Sequence, residues 1–374
     1  MNPRSPELIQ LIRAEIENRG PQSFSWFMQQ ALYHPEHGYY SSGRCVIGRK
    51  GDYFTNVSVG ALFGHILAAQ FGEIWESLGR IDSFAIVEQG AHDGQFARDV
   101  LECSQKRAPE FFGALQYRIV EPFRILQERQ QRRLESFRGK VEWRDSLEPF
   151  TGVHFSNELL DSMPARVMSD GREKFVGLDG DNFIFVERPI DADRKSDEAA
   201  LAWIDEIAAN LQRGYVIAID YGRLGEGVQR NVQVRAQHRS LSSPFEQIGE
   251  ADITMPVDWT SIVDRAEANG LRVAGFTDQH HFLTGIISMW PDLLQPWPQN
   301  STALSPPVQV ADADHKTKRA LQTLLHPEML GRAFQILALA KNVGTGAPGL
   351  AGFKFAHAPR RALGLENPPV ADCR

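Results

Sequence analysis

Cysteine is scarce in this chain: Cys45, Cys103 and Cys373 are the only three in 374 residues, far apart and in no CxxC pair. Neither a disulfide framework nor a zinc site is supported by that spacing. No apolar run approaches the roughly 20 residues that a membrane helix needs. Met1-Asn2-Pro3-Arg4-Ser5 has no hydrophobic signal core, so a soluble protein of the reducing cytoplasm is expected, with no membrane partner. Positive charge is also short, with 40 Lys and Arg against 47 Asp and Glu. The net charge of -7 argues against nucleic acid as the main partner. An arginine-rich run at 124–138 reads as the solvated face of a helix. There is no internal repeat. What remains is ordinary globular composition, 42% hydrophobic and 23% charged, enough for a large core.

Periodicity organises the chain. Ser5-Pro6-Glu7 reads as a helix start, and Leu8, Leu11, Ile12 and Ile16 fall on one helical face that Gly20-Pro21 ends. Further helices are predicted over 24–33 and 59–78. Buried strands are predicted at 84–88, 117–121, 141–143, 153–158 and 215–220, with helices over 95–106 and up to 137. Strand and helix in alternation imply an α/β fold with a mostly parallel sheet and right-handed crossovers. Residues 174–187 break the rhythm as a β-hairpin around Asp179-Gly180. Helices are predicted at 198–211, 258–269 and 279–289, and strands at 272–276 and 332–340. The expected division is an N-terminal helical extension with a covering loop (1–80) and a Rossmann-like core (81–342). Insertions are expected at about 165–212 and 222–260, the latter as a surface or lid segment. A loose tail (343–374), rich in Gly, Ala and Pro, completes the chain.

The chemistry-bearing residues gather at predicted strand ends, where ligands sit in open α/β sheets. Glu88-Gln89-Gly90-Ala91-His92-Asp93-Gly94 joins a strand to a helix. Glycine there allows close backbone approach, and a helix start offers outward N–H groups. Glu121 ends the next strand, where a carboxylate can accept both hydroxyls of a ribose. The loop lacks the GxGxxG phosphate fingerprint, and an acid at 88 suits a cation better than a pyrophosphate. S-adenosylmethionine, a sulfonium without phosphate, fits this better than a nicotinamide dinucleotide. Asp145-Ser146 ends the third strand and reads either as an adenine contact or as a plain turn. Asn157-Glu158-Leu159-Leu160-Asp161-Ser162-Met163-Pro164 closes the fourth. It places Asn157, Glu158 and Asp161 toward a methyl acceptor, with Glu158 the best proton acceptor and Asp161 alternatively a helix cap. Asp52, Tyr53 and Thr55 read as a closing loop or as a capped turn. His280-His281 point apart on a helix, so no metal site is expected. Phe245 and Trp259 read as packing residues.

Taken together these pieces resemble the MidA-type methyltransferase family, which includes mitochondrial complex I assembly methyltransferases. The matching segments, in order, are His37-Gly38-Tyr39-Tyr40, Gly51-Asp52-Tyr53-Phe54-Thr55, the 88–94 loop, Asn157 to Pro164, Asp220-Tyr221-Gly222, Ala251-Asp252-Ile253-Thr254, and Gln279 with Phe282-Leu283. The similarity spans about residues 20–342. It implies a class I methyltransferase core using S-adenosyl-L-methionine. For eukaryotic members it implies methylation of a protein arginine. On this resemblance Glu88, Gly90, Gly94, Glu121, Asp145 and Asn157 hold the cofactor, while Asp52, Thr55, Asp220 and Tyr221 face the substrate or lid. A catalytically inactive assembly factor and a small-molecule methyltransferase are the alternatives, and a homodimer is left open. One departure stands out: His92 occupies a position where the family has glycine.

Overall fold

In the computed structural model, residues 6–43, 45, 55–190, 199–223, 231–295, 315–344 and 349–365 are described. Its centre is a seven-stranded sheet. The strands are β1 (Phe84–Gln89), β2 (Leu115–Val120), β3 (Val141–Arg144), β4 (Phe150–Asn157), β5 (Leu211–Asp220), β6 (Arg272–Asp278) and β7 (Gln335–Lys341). Their order across the sheet is β6-β7-β5-β4-β1-β2-β3. All pairings are parallel except those of β7, which runs antiparallel between β5 and β6. The expected mostly parallel sheet is therefore present, with one reversed strand near its edge.

Burial explains why these segments are strands. Successive side chains point to opposite faces, and here both faces are covered. Phe84 and Ile86 enter one core while Ala85 and Val87 enter the other. Ile217 and Ile219 divide from Val216 and Ala218 in the same way. The result is the near-continuous apolar run characteristic of parallel strands. The helices are α1 (Pro6–Arg19), α2 (Phe24–Tyr33), α3 (Leu62–Ser77), α4 (Gln95–Arg107), α5 (Pro109–Ala114), α6 (Arg124–Arg133), α7 (Ala199–Asn210), α8 (Trp259–Ala268), α9 (Gln279–Met289), α10 (His315–Leu325) and α11 (Pro359–Ala362). Helices α3, α4, α9 and α10 cover one face, and α7 and α8 the other.

A third apolar cluster lies apart from the sheet. It joins Leu8, Phe24 and Phe27 of α1 and α2 to Val176 and to Ile253. The hairpin of residues 172–189 pairs with Gln22 and Ser23, and a small antiparallel sheet joins Gln233–Ala236 to Asp252–Thr254. Three distant stretches of chain thus build one lobe beside the strand ends. The predicted boundaries shift accordingly. Helices α3 and α7, placed by sequence in the N-terminal extension and in an insertion, belong to the two core faces. The described part of the C-terminal tail, 349–365, also differs from the loose segment expected. Leu350, Ala351 and Leu363 are buried, Ala351 N donates to the Glu73 carboxylate (2.9 Å), and Gly352 N donates to Gln70 Oε1 (2.9 Å). Phe245 packs against Phe27, Phe183 and Phe185, and Trp259 is fully buried beside Phe276, both as packing residues.

Candidate active site

A cavity of about 480 Å³ opens at the carboxyl ends of β1, β2 and β4. The sheet supplies Glu88, Gly90, Glu121, Asn157 and Glu158 to its wall, and the N-terminal segment supplies Tyr33, Tyr40 and Thr55. Four of the described lining residues are acids (Glu88, Asp93, Glu121 and Glu158), and none of those described is lysine or arginine. Such a lining suits a cationic ligand without phosphate.

The β1 end is tightly built. Gly90, His92 and Gly94 all have left-handed backbones, at φ 81, 47 and 81°. At Gly90 a Cβ would press on Leu159 (3.3 Å to Cδ1), so the loop runs directly against the turn after β4. Histidine is tolerated in this region more readily than bulkier residues, though less readily than glycine. His92 faces the cavity, and its buried Nε2 has no partner among the described residues. Glu88 accepts a hydrogen bond from Tyr117 Oη (2.7 Å), and burial pushes its carboxyl up to about 8. Glu121 accepts from Phe123 N (3.0 Å) and from Gln130 Nε2 (3.1 Å). Burial lifts it to about 7, with those two donors working against the shift. A carboxylate has about four acceptor positions, so capacity remains for two ribose hydroxyls.

The β4 end is held from further away. Glu158 has φ 54°, a strained backbone of the kind that clusters at functional sites. Its Oε1 accepts from Asn56 N (3.2 Å) and Asn157 Nδ2 (2.9 Å), while Oε2 takes no hydrogen bond among the described residues. Asn56 Nδ2 donates in turn to Asn157 Oδ1 (3.0 Å). Burial drives Glu158 up to about 8, helped by the neighbouring Asp220 and Asp252. Thr55 lines the cavity and starts a short 3-10 turn, where it and Ser58 cap each other. Tyr33 stacks between Tyr40 and Phe123, and Tyr40 Oη donates to Asp252 Oδ1 (2.6 Å).

Several predicted residues stand elsewhere. Asp220 does not face the substrate space. It is fully buried, and its Oδ2 accepts the N–H groups of Leu159, Leu160 and Asp161 (3.1, 2.7 and 3.2 Å). It therefore anchors the turn that carries Glu158. Tyr221 packs on Phe334, with ring centroids 4.0 Å apart, outside the cavity wall. Asp161 is buried behind that wall, where burial and then Asp220, Asp252 and Glu158 hold its carboxyl well above the usual range. Gly94 is the N-cap of α4 and abuts α6 instead of the cavity. Asp145 is exposed and accepts from Gln127 Nε2 (3.1 Å), away from the lining. Asp52 and Tyr53 lie outside the described residues. Sequence reasoning passed over Asn56, Tyr33 and Gln130. Asn56 directly follows a segment already singled out, and that adjacency was the available signal. The two histidines, His280 and His281, bond separately to Leu325 O and to Asp278.

The family model described as "Putative S-adenosyl-L-methionine-dependent methyltransferase" matches residues 66–277. A Burkholderia thailandensis protein crystallised with S-adenosyl-homocysteine bound is similar at TM-score 0.79 and 27% identity, over 94% of this chain and 95% of its own. The mitochondrial protein arginine methyltransferase NDUFAF7 homolog of Drosophila melanogaster is 24% identical over 90% of this chain and 85% of its own length. The Rattus norvegicus protein arginine methyltransferase NDUFAF7 is 25% identical over 87% and 82%. The acid-lined cavity and these relatives agree on the cofactor. The chain belongs to the S-adenosyl-L-methionine-dependent methyltransferase family and is a methyltransferase of MidA type.

Proposed function

We propose that the methyl acceptor is an arginine side chain of a protein. The observation that carries this reading is the state of Glu158. One oxygen is anchored by Asn56 and Asn157, and the other takes no hydrogen bond among the described residues, in a cavity whose described lining includes no lysine or arginine. Three further carboxyls, Asp161, Asp220 and Asp252, act on Glu158 from behind or raise one another. A guanidinium is planar, permanently charged and well matched to carboxylates. The two relatives named above carry arginine methyltransferase names, which supports the same reading.

S-adenosylmethionine, when bound, supplies an electrophilic methyl on a sulfonium. Glu88 and Glu121 would hold its charged and ribose parts, and the left-handed turn at Gly90 lets the backbone come close. The chain's remaining task is alignment and proton removal. A guanidinium nitrogen that took this methyl would have to give up a proton. Glu158 Oε2 is placed to take it. A carboxyl lifted to about 8 by burial is a stronger base than an ordinary glutamate.

The test uses the full chain with methyl-labelled S-adenosylmethionine and a protein extract, followed by hydrolysis. Label recovered as methylarginine is expected, and Glu158→Gln should remove it. Label recovered as methyl-lysine, or only in the small-molecule fraction, would overturn the arginine assignment and leave the methyltransferase reading in place.

A further inference from the structure

Helix α6 looks in sequence like a solvated, arginine-rich surface, yet its Gln130 is 0% exposed. Both N–H donors and the carbonyl oxygen of that side chain are engaged. Nε2 donates to the His92 carbonyl oxygen (3.0 Å) and to Glu121 Oε2 (3.1 Å), while Oε1 accepts from Trp143 Nε1 (3.0 Å). The indole N–H can only donate. It therefore fixes the amide's orientation, with oxygen toward β3 and nitrogen toward the cofactor loop. Gly94 brings the loop close enough for this. A Cβ there would meet Leu134 Cδ1 at 3.2 Å and Gln130 Cα at 3.4 Å.

Gln130 does not line the cavity. It joins two elements that do, the loop after β1 and the acid after β2. The loop it grips includes His92, a residue with a Cβ in the left-handed region at φ 47°. Glycine enters that region about as readily as the right-handed one, whereas other L-residues resist it. A bond to the carbonyl of residue 92 opposes rotation of the peptide unit that follows the strained residue. We infer that Gln130 is a positioning residue of the cofactor site, tying the His92 turn and the Glu121 carboxylate into one unit and allowing histidine where a glycine would otherwise be required.

Because Gln130 is buried, loss of affinity in one variant would not separate positioning from general packing. The discriminating experiment is a double-mutant cycle on the full chain, read as the Kd for S-adenosyl-homocysteine by calorimetry. Its members are wild type, Gln130→Met, His92→Gly and the double variant, each checked for a cooperative thermal transition. Methionine keeps the volume and removes every hydrogen bond. Gln130→Met is expected to weaken binding by about tenfold, the scale of a lost buried bond to a charged group. In the His92→Gly background the loss should shrink by about threefold or more, since glycine needs the clamp less. Equal losses in both backgrounds, or affinity within about twofold of wild type in a folded Gln130→Met, would overturn the inference. If that variant does not fold, Gln130→Glu takes its place in the cycle. It keeps an acceptor for Trp143 and replaces two N–H donors by at most one O–H, so the bonds to the His92 carbonyl and to Glu121 cannot both form, and failure of both variants to fold would reassign Gln130 to folding alone.

Discussion

The two halves of the cavity are built on different principles. On the cofactor side, Glu88, Gly90, His92, Glu121 and Gln130 fall within 43 consecutive residues, 88–130, on two adjacent parallel strands, their following turns and helix α6. On the acceptor side, Glu158 depends on Asn56, on Asp220 and, through the acid cluster, on Asp252. These come from the N-terminal segment, from β5 and from the small antiparallel sheet. The first half is assembled from one continuous stretch of chain, whereas the second rests on contacts between segments far apart in sequence.

Glu158→Gln should separate the halves most sharply. It removes the proton acceptor, so kcat is expected to fall by roughly 10²–10⁴-fold, with the Kd for S-adenosyl-homocysteine changed less than about threefold. Parallel loss of cofactor affinity would show that the halves are not separable. Asp220→Ala comes next. It leaves three N–H groups of the Glu158 turn and that of Tyr221 without their acceptor. A stability loss of about 2–4 kcal/mol is expected by denaturant unfolding, with activity falling further than cofactor affinity.

The pH dependence has opposite signs for activity and for stability. Glu158 must be ionised to accept a proton, so kcat/KM should rise with pH, pass half its maximum near 8 and level off above that. Its folded-state pKa is raised, as is that of Glu88, so both favour the ligand-free fold while protonated. That contribution is fully present below the ordinary carboxyl pKa, about 4.3, and is lost as the pH rises through about 8. Thermal scans between pH 5 and 9 should show the melting temperature falling as kcat/KM climbs. A melting temperature that rises over this range would contradict the burial argument.

Smaller still is Glu121→Gln, expected to weaken S-adenosyl-homocysteine about tenfold while leaving KM for the acceptor unchanged. Asp145→Asn should change neither by more than about twofold, since that side chain is exposed and outside the wall. An effect of Asp145→Asn equal to that of Glu121→Gln would extend the cofactor half to β3.

Legibility in the sequence follows the same divide. Strand ends with acids, a glycine loop and alternating strands and helices are short-range patterns, so the sheet, Glu88, Gly90 and Glu121 could be read directly. The Asn157-Glu158 step was legible for the same reason. Asp220 was noticed but given the wrong duty, because one-dimensional order cannot tell an acid that faces a ligand from one that faces three backbone amides. Gln130 was hidden by its neighbours: Arg129, Arg132 and Arg133 made the helix look wholly solvated, and only the tertiary fold reveals its buried face. Asn56 needed a contact spanning about a hundred residues. The reversed β7 has no local signature at all, since an apolar run reads alike in either direction.

That reversed strand has a consequence for how the chain is made. Strand β7 fills the slot between β5 and β6, and its residues 335–341 lie far downstream of every described residue that lines the cavity. During synthesis β1 to β5 can pair in order as they emerge, but the slot stays open until residue 341 has left the ribosome. At roughly 5–20 residues per second, the edge of β5, with Val216 to Ile219, waits several seconds after its own synthesis for a partner. An exposed apolar strand edge of that kind invites pairing with another chain. The nascent protein is most exposed to aggregation in that interval, and slower translation of residues 221–334 would lengthen it.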